Sequence, residues 1–207
     1  MNGTGSASAN TLLMKAIFRA GIPVMGKNYF PSNIQGLPTW YEVRVTEKGY
    51  LGRRGGGVDM MVAMNPQTWA EDVKEIEPGG YLFYDSTKPM PSSMFREDIN
   101  IVGVPLTAIT NATYSDARQR QLFKNIIYVG ALSVLLDIDD NEIKRLFGEQ
   151  FKGKEKLLDS NVKALVSSDG VTMLLWLLEH AHDDGGEHDG RTEGQPFGVV
   201  LELGPHL

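Results

Sequence analysis

Residues Val58–Met64, VDMMVAM, decide the fold class of this chain. Six of these seven residues are apolar, which is typical of a strand buried on both faces in a sheet that helices cover on both sides. Asn65-Pro66 ends the strand and opens a predicted helix that continues through Glu75. The stretch therefore indicates a strand followed by a helix, the repeating unit of an α/β fold.

The surrounding sequence continues this alternation. Further predicted strands are Ile22–Met25, Thr39–Thr46, Tyr81–Asp85, which an acidic residue ends, and Ile99–Val104. Further predicted helices are Ser8–Ala20, stopped by Gly21, Asp116–Leu136, Asp139–Phe147, stopped by Gly148, and Lys154–Leu165. Pro78-Gly79-Gly80 predicts a turn. Gly49–Gly57 predicts a hairpin in which Val58–Met64 returns beside Thr39–Thr46. Together the elements predict a three-layer α/β/α sandwich with a mostly parallel, mixed sheet.

Composition excludes several classes of protein. The 207 residues include no cysteine, which excludes a disulfide scaffold and a cysteine-ligated zinc or iron–sulfur site in this chain. The net charge of −6 has the wrong sign for a general nucleic-acid binder. No apolar run approaches the ~18 to 20 residues of a membrane span, and no basic region precedes an apolar one as in a secretory signal. We therefore expect a cytoplasmic protein.

The charge changes abruptly near the C-terminus. Residues 179–207 hold seven acidic residues, one basic residue and all four histidines, whereas residues 1–178 have no net charge. This break predicts a body, residues 1–165, and a separate tail, residues 166–207. The tail histidines and carboxylates, including His180, His182 and His188, are legitimate zinc, nickel or copper ligands, although their spacing matches no closed site. The surrounding glycines favour a partly disordered segment with incidental metal affinity, so we assign no metal site to the tail.

The segment GTGSASAN, residues 3–10, is the first candidate ligand site because it leads into a predicted helix. Small residues let a ligand approach the backbone, and free N–H groups at a helix N-terminus attract anions. The residues assigned to this site are Gly3, Thr4, Gly5, Ser6 and Ser8. Ser8 stands where a dinucleotide-binding loop has its third glycine, and no GK[ST] follows. A tight turn with a helix cap explains the same residues.

Two loops supply the other candidates. The predicted loop Tyr29–Pro38 carries neutral hydrogen-bonding residues between prolines: Ser32, Asn33 and Gln35. Such a loop suits docking against a ligand or a partner, or it is a plain surface connection. Arg53 and Arg54 stand among glycines, where they either grip a phosphate or carboxylate or form a solvated hairpin tip.

No catalytic constellation is visible. Residues 1–178 contain no histidine, so the body lacks the commonest general base at neutral pH and no Ser/His/Asp triad can be assigned. By residue chemistry the body is typical of a binding or scaffolding domain.

Five sequence blocks appear in a specific order. They are GTGSASANTLLMKAIFRAGIPV, GKNYFPSNIQGLPTWYEVRV, GYLGRR, VDMMVAMNPQTW and EIEPGGYLFYDSTKP. This order resembles the gamma domain of 2-oxoacid:ferredoxin oxidoreductases, in particular the 2-oxoglutarate-type enzymes in which the domain opens the alpha subunit. The resemblance covers about residues 2–165.

The resemblance implies a role within a larger enzyme. Such an enzyme oxidatively decarboxylates a 2-oxoacid, passes electrons to ferredoxin and forms an acyl-coenzyme A. Thiamine diphosphate, its magnesium ion and the iron–sulfur clusters are expected in partner alpha and beta domains or subunits. The gamma domain is expected to pack against those partners and to help enclose the coenzyme A region, without catalysing the reaction alone.

The sequence departs from the family pattern at its ends. The opening strand before Gly3 is reduced to Met1-Asn2, and the large domain that normally follows is absent. Loss of a central strand predicts unpaired strand edges and a marginally stable or aggregating chain. The alternative function is a stand-alone α/β binding module that holds a nucleotide or coenzyme A phosphate at residues 3–8.

Overall fold

The computed structural model describes residues 6–29, 39–46, 57–166 and 197–203. Its elements, in chain order, are α1 (Ser6–Arg19), β1 (Val24–Tyr29), β2 (Thr39–Val45), β3 (Val58–Ala63), α2 (Trp69–Glu75), β4 (Ile76–Asp85), a 3₁₀ turn (Ser92–Met94), β5 (Asn100–Val104), α3 (Leu106–Thr113), α4 (Ala117–Leu135), α5 (Asp140–Gln150), α6 (residues 155–166) and β6 (Phe197–Leu203). Among the described helices, none combines the length and apolar character that a membrane span requires.

The six described strands form one mixed sheet in the order β1-β2-β6-β3-β4-β5. β6, β3, β4 and β5 run parallel to one another, and β2 is antiparallel to both of its neighbours, β1 and β6. The mostly parallel, mixed sheet predicted from the sequence is therefore confirmed.

Each face of the sheet has its own core. Successive residues of β3 alternate between the faces: Met60 and Val62 pack under α1, α4 and α5, whereas Met61 and Ala63 pack under α2. All four side chains are at most 3% exposed. Because side chains along a strand point to opposite faces, a strand apolar at nearly every position must be covered twice. This arrangement confirms the predicted three-layer sandwich.

Local signals position the helices. Gly21, at φ 83°, ends α1, as the sequence predicts. The carboxylate of Asp116 accepts a hydrogen bond from the Gln119 N–H at 2.8 Å, and that of Asp139 accepts from the Asn141 N–H at 2.9 Å. Both are N-caps, which supply acceptors for helix-start N–H groups that have no helical partner. The predicted starts of α4 and α5 are therefore correct to within one residue.

The predicted hairpin between Thr39–Thr46 and Val58–Met64 is wrong. β2 pairs with β1, and β6 lies between β2 and β3, with Trp40 opposite Glu202 and Met60 beside Val199. Because β6 pairs along both of its sides, the described sheet is continuous from β1 to β5, and the marginal stability expected from the missing opening strand stays a prediction. Local periodicity cannot reveal a partner strand more than 130 residues away. The boundary near residue 165 stays a prediction, although β6 belongs to the same sheet as the body.

Two smaller predictions also need correction, and one helix was not predicted. The turn at Pro78-Gly79-Gly80 is an irregularity within β4, where Val58 pairs with Ile76 but Met60 pairs with Tyr81. Gly79, at φ 79°, makes this irregularity possible. α5 continues through Gly148 to Gln150. α3 (Leu106–Thr113), which was not predicted, follows Pro105.

We expect β6 to decide whether the chain folds. A chain ending after residue 196 lacks the strand that joins β2 to β3, so its thermal unfolding should lose cooperativity. A chain ending after residue 203 keeps β6 and should melt like the full chain. Circular dichroism at increasing temperature makes the comparison, and equal melting of the two shortened chains would contradict this role of β6.

Candidate functional site

One edge of the sheet collects the carboxyl ends of five strands. β1, β6, β3, β4 and β5 run in the same direction and end there at Tyr29, Leu203, Ala63, Asp85 and Val104. β2 begins at this carboxyl edge, because Trp40 pairs with Tyr29. In open α/β sheets ligands bind outside the carboxyl ends of the strands. We therefore take the carboxyl edge as the candidate site.

The beginning of α1 lies at the carboxyl edge. α1 is followed directly by β1, whose start is at the opposite edge, so its 14 residues, about 21 Å, run back along the sheet. Ser8, Thr11 and Lys15, on one face of α1, line a cavity of about 480 Å³ against α5. The first turn of α1 contains no acidic residue. Its N–H groups are thus not neutralised by a carboxylate of their own turn.

The charges lining this first cavity are balanced. Glu149 of α5 faces it together with Lys15. Arg19 Nη2 donates to Glu149 Oε2 at 2.7 Å, and this hydrogen bond lowers the pKa of the Glu149 carboxyl below its ordinary value. Glu149 is therefore ionised at neutral pH. Attraction of an anion here depends on the start of α1 rather than on an excess of basic side chains.

A buried hydrogen bond fixes α1 against α4. The Tyr128 hydroxyl donates to Asn10 Oδ1 at 2.5 Å, and both residues are at most 3% exposed. Burial raises the pKa of the Tyr128 phenol, so the hydroxyl keeps its proton. Asn10 Nδ2, also buried, has no hydrogen-bond partner among the described residues. This bond, together with the buried packing of Ala9 and Leu13, holds the first turns of α1.

A partly buried hydrogen bond holds the start of β2. Trp40 Nε1 donates to Asp72 Oδ1 of α2 at 3.3 Å, and the Thr68 hydroxyl donates to Asp72 Oδ2 at 2.7 Å. Asp72 is only 2% exposed. The bond connects the residue at which the chain re-enters the sheet to the helix between β3 and β4. It holds the carboxyl edge together across β6.

Asp85, at the end of β4, holds the start of α3. Its Oδ1 accepts from the N–H groups of Thr87 and Thr107, both at 3.2 Å, and its Oδ2 accepts from the Thr107 hydroxyl. The Thr87 hydroxyl oxygen in turn accepts from the Ala108 N–H at 3.0 Å. These bonds satisfy helix-start donors that otherwise have no partner. The segment after β4 and the segment after β5 are thereby joined.

The structure describes the side chain of one predicted site residue. Ser8 is exposed and lines the first cavity, as well as an apolar groove of about 320 Å³ between α1, α4, α5 and α6. Ser6 is the first residue of α1. The other predicted residues lie outside the described ranges: Gly3, Thr4, Gly5, Ser32, Asn33, Gln35, Arg53 and Arg54. The assignment of these residues to a site stays a prediction, and the tail histidines lie outside the described ranges as well.

The segments that contain the predicted site residues are joined to two different edges of the sheet. Residues 1–5 precede α1, and residues 30–38 connect β1 to β2, so both segments are joined to the carboxyl edge. Residues 47–56, which contain Arg53 and Arg54, connect the end of β2 to the start of β3, and both of these points are at the opposite edge. Because this segment begins and ends at the opposite edge, the assignment of Arg53 and Arg54 to the same site as residues 3–8 stays a prediction.

Sequence reasoning missed the residues that organise the carboxyl edge, namely Trp40, Asp72, Asp85, Thr107 and Lys124. One signal was present, because an acidic residue ends the strand Tyr81–Asp85. Its partner Thr107 could not be identified without α3, and Asp72 resembled an ordinary surface residue of an amphipathic helix.

A match to a known protein family over most of the chain identifies the family to which it belongs. The family model described as pyruvate ferredoxin/flavodoxin oxidoreductase matches residues 1–167. The chain belongs to this oxidoreductase family.

Individual relatives agree with the assignment to the oxidoreductase family. Subunit alpha of 2-oxoacid:ferredoxin oxidoreductase 2 from Aeropyrum pernix is 22% identical, with 79% of this chain and 31% of the relative covered. The 2-oxoglutarate:ferredoxin oxidoreductase of Magnetococcus marinus, solved with 2-oxoglutarate, coenzyme A and succinyl-CoA bound, is 25% identical with a TM-score of 0.72. The match includes 84% of this chain and 30% of the Magnetococcus marinus chain. The chain thus spans about a third of these relatives.

Separate subunits share the fold along nearly their whole length. The gamma subunit of a keto/oxoacid ferredoxin oxidoreductase from Geobacter sulfurreducens has a TM-score of 0.62 at 16% identity, with 84% of this chain and 95% of the subunit covered. A pyruvate oxidoreductase subunit from Thermotoga maritima has a TM-score of 0.62 at 19% identity, with 82% and 90% covered. These two structural similarities show that the chain has the same fold as these subunits.

We expect the Asn10–Tyr128 bond to stabilise the attachment of α1. Tyr128→Phe leaves buried Asn10 Oδ1 without its donor, so unfolding free energy should fall by about 1–3 kcal/mol. Asn10→Leu should cost a similar amount, and the double variant should lose clearly less than the sum. Tyr114→Phe is the matched control, because the Tyr114 hydroxyl has no hydrogen-bond partner among the described residues. Urea denaturation measures all four variants, and additive losses would contradict the coupling.

Proposed function

We propose that this chain is a gamma-type subunit or domain of a 2-oxoacid:ferredoxin oxidoreductase in the cytoplasm. The family match over residues 1–167 carries the proposal. The complete enzyme would oxidatively decarboxylate a 2-oxoacid, transfer the electrons to ferredoxin and release an acyl-coenzyme A. A 2-oxoglutarate-type substrate is supported by the 25% identity to the Magnetococcus marinus enzyme.

Partner alpha and beta domains or subunits would carry the reaction centre in this proposal. The chain has no cysteine with which to ligate an iron–sulfur cluster. Among the described residues, no group of three His, Cys, Asp or Glu side chains could hold a metal ion. On the family resemblance we assign thiamine diphosphate, magnesium and the clusters to the partners, and a structural role to this chain.

The carboxyl edge is the part of this chain that we assign to coenzyme A. The start of α1 offers N–H groups without an acidic neighbour in its own turn, which suits a phosphate group. Exposed Ser8 lines the cavity beside it. The predicted segments at residues 3–8 and 32–35 are joined to the same edge. A coenzyme A phosphate at α1 would explain why small, neutral residues lead into this helix.

Reconstitution tests the proposed function. The chain should co-purify with thiamine-binding alpha and beta partners, and the complex should reduce a viologen dye with 2-oxoglutarate and coenzyme A. A complex that reduces the dye equally well without this chain would contradict the proposal. Micromolar binding of coenzyme A or ADP to the isolated chain, without partners, would instead support a stand-alone binding module.

We expect Ser8→Glu to weaken the use of coenzyme A by the complex. The new carboxylate would stand in the first turns of α1 and repel a phosphate group there, so the KM for coenzyme A should rise about tenfold. Ser93→Glu is the control, because Ser93 is exposed in the 3₁₀ turn that packs on α2 across the sheet. Dye reduction at varied coenzyme A measures both, and equal KM values would refute the placement.

A further inference from the structure

A second cavity at the carboxyl edge has a different chemistry. It has a volume of about 230 Å³ and lies where the segments after β3, β4 and β5 meet α4. Its apolar lining is Met64, Pro66 and Trp69. Its polar lining is Asp85, Thr87, Lys88, Thr107 and Lys124.

The Asp85 carboxylate is already engaged in holding the protein together. It accepts three hydrogen bonds, two from N–H groups and one from the Thr107 hydroxyl. It therefore fixes the start of α3, and three of its roughly four acceptor sites are in use, while Lys124 faces it as an ion pair too long for a hydrogen bond.

The ammonium group of Lys124 lacks a hydrogen-bonded partner. Its Nζ is 3.9 Å from Asp85 Oδ2, beyond the 2.7–3.2 Å range of such bonds. No other described residue supplies an acceptor within that distance. The side chain is only 20% exposed, so much of the water that would solvate a surface ammonium is excluded. A half-buried cation of this kind favours an anionic oxygen beside it.

The remaining polar groups reinforce the preference for an anion. Lys88 lines the same cavity, so two positive charges face the single negative charge of Asp85. The Thr87 hydroxyl oxygen accepts from Ala108, which leaves its own proton available as a donor. The excess of donors and positive charge distinguishes this cavity from the first one, where Lys15 and Glu149 offset each other.

The opposite wall limits the size and shape of the ligand. Trp69 is 3% exposed and its indole N–H donates to the Ala63 carbonyl at 3.2 Å, so the ring presents apolar surface. A volume of 230 Å³ is below the ~300–1,000 Å³ of sites for drug-sized ligands. We propose that this cavity binds a small carboxylate or phosphoryl group, with Lys124 and Lys88 as its cationic partners and Thr87 as a donor.

The proposal does not depend on the assignment of this chain to an oxidoreductase complex, because every residue it uses belongs to the described chain. Titrating the full chain alone therefore tests the cavity, whereas reconstitution tests the complex. Failure of one experiment leaves the other result standing.

Nuclear magnetic resonance of the ¹⁵N-labelled full chain tests the cavity. The probes are inorganic phosphate, acetate and pyruvate, each compared with sodium chloride at equal ionic strength. Saturating shifts of the backbone N–H signals of Thr87, Lys88, Thr107 and Ala108 are expected. Saturation with phosphate alone would identify a phosphoryl site, saturation with the organic acids alone would identify a carboxylate site, and either result supports the proposal.

Charge variants make the test specific. Lys124→Gln should weaken binding about tenfold, and exposed Lys88→Gln should weaken it several-fold without affecting folding. Lys156→Gln changes the net charge equally at an exposed position outside the cavity and should bind like the unaltered chain. Shifts that fail to saturate with all three probes, or affinities that survive both Lys88→Gln and Lys124→Gln, would overturn the proposal.

Discussion

The two-sided pairing of β6 is the interaction on which the rest of the structure depends. β6 joins the antiparallel pair β1–β2 to the parallel strands β3, β4 and β5. Without it the sheet would separate into a two-stranded and a three-stranded piece, and an isolated pair of strands is marginally stable at best. The carboxyl edge exists as one surface because β6 aligns the start of β2 with the end of β3.

Side-chain bonds then turn this edge into a defined surface. Trp40 and Asp72 connect elements on either side of β6, whereas Asp85 and Thr107 connect β4 to α3. These carboxylates are buried or nearly so, which makes them costly unless each is hydrogen-bonded. Because their acceptors are used within the protein, they serve as rigid supports. The groups left to meet a ligand are the helix start of α1 and the lysines around the second cavity.

Structural features could be predicted from the sequence where the residues that determine them lie close together in the chain. The apolar run Val58–Met64 required cover on both faces, and Gly21 required the end of a helix, so the layers and several boundaries could be predicted. Features that depend on a partner residue or strand far away in the chain could not be predicted. The partner of β3 is β6, which no local period in Thr39–Met64 could indicate. Likewise Asp85 was visible as the end of a strand, but its role depends on Thr107, 22 residues later.

The carboxyl edge presents two environments with different electrostatic character. At the start of α1 the nearby side-chain charges offset each other, so a ligand there would be held by backbone N–H groups and by fit. At the second cavity the side chains themselves supply the excess positive charge. A phosphate held by backbone groups is less sensitive to loss of any single side chain than an anion held by two lysines. The two environments therefore separate experimentally: a new carboxylate at Ser8 acts on the first, and neutral lysine variants act on the second.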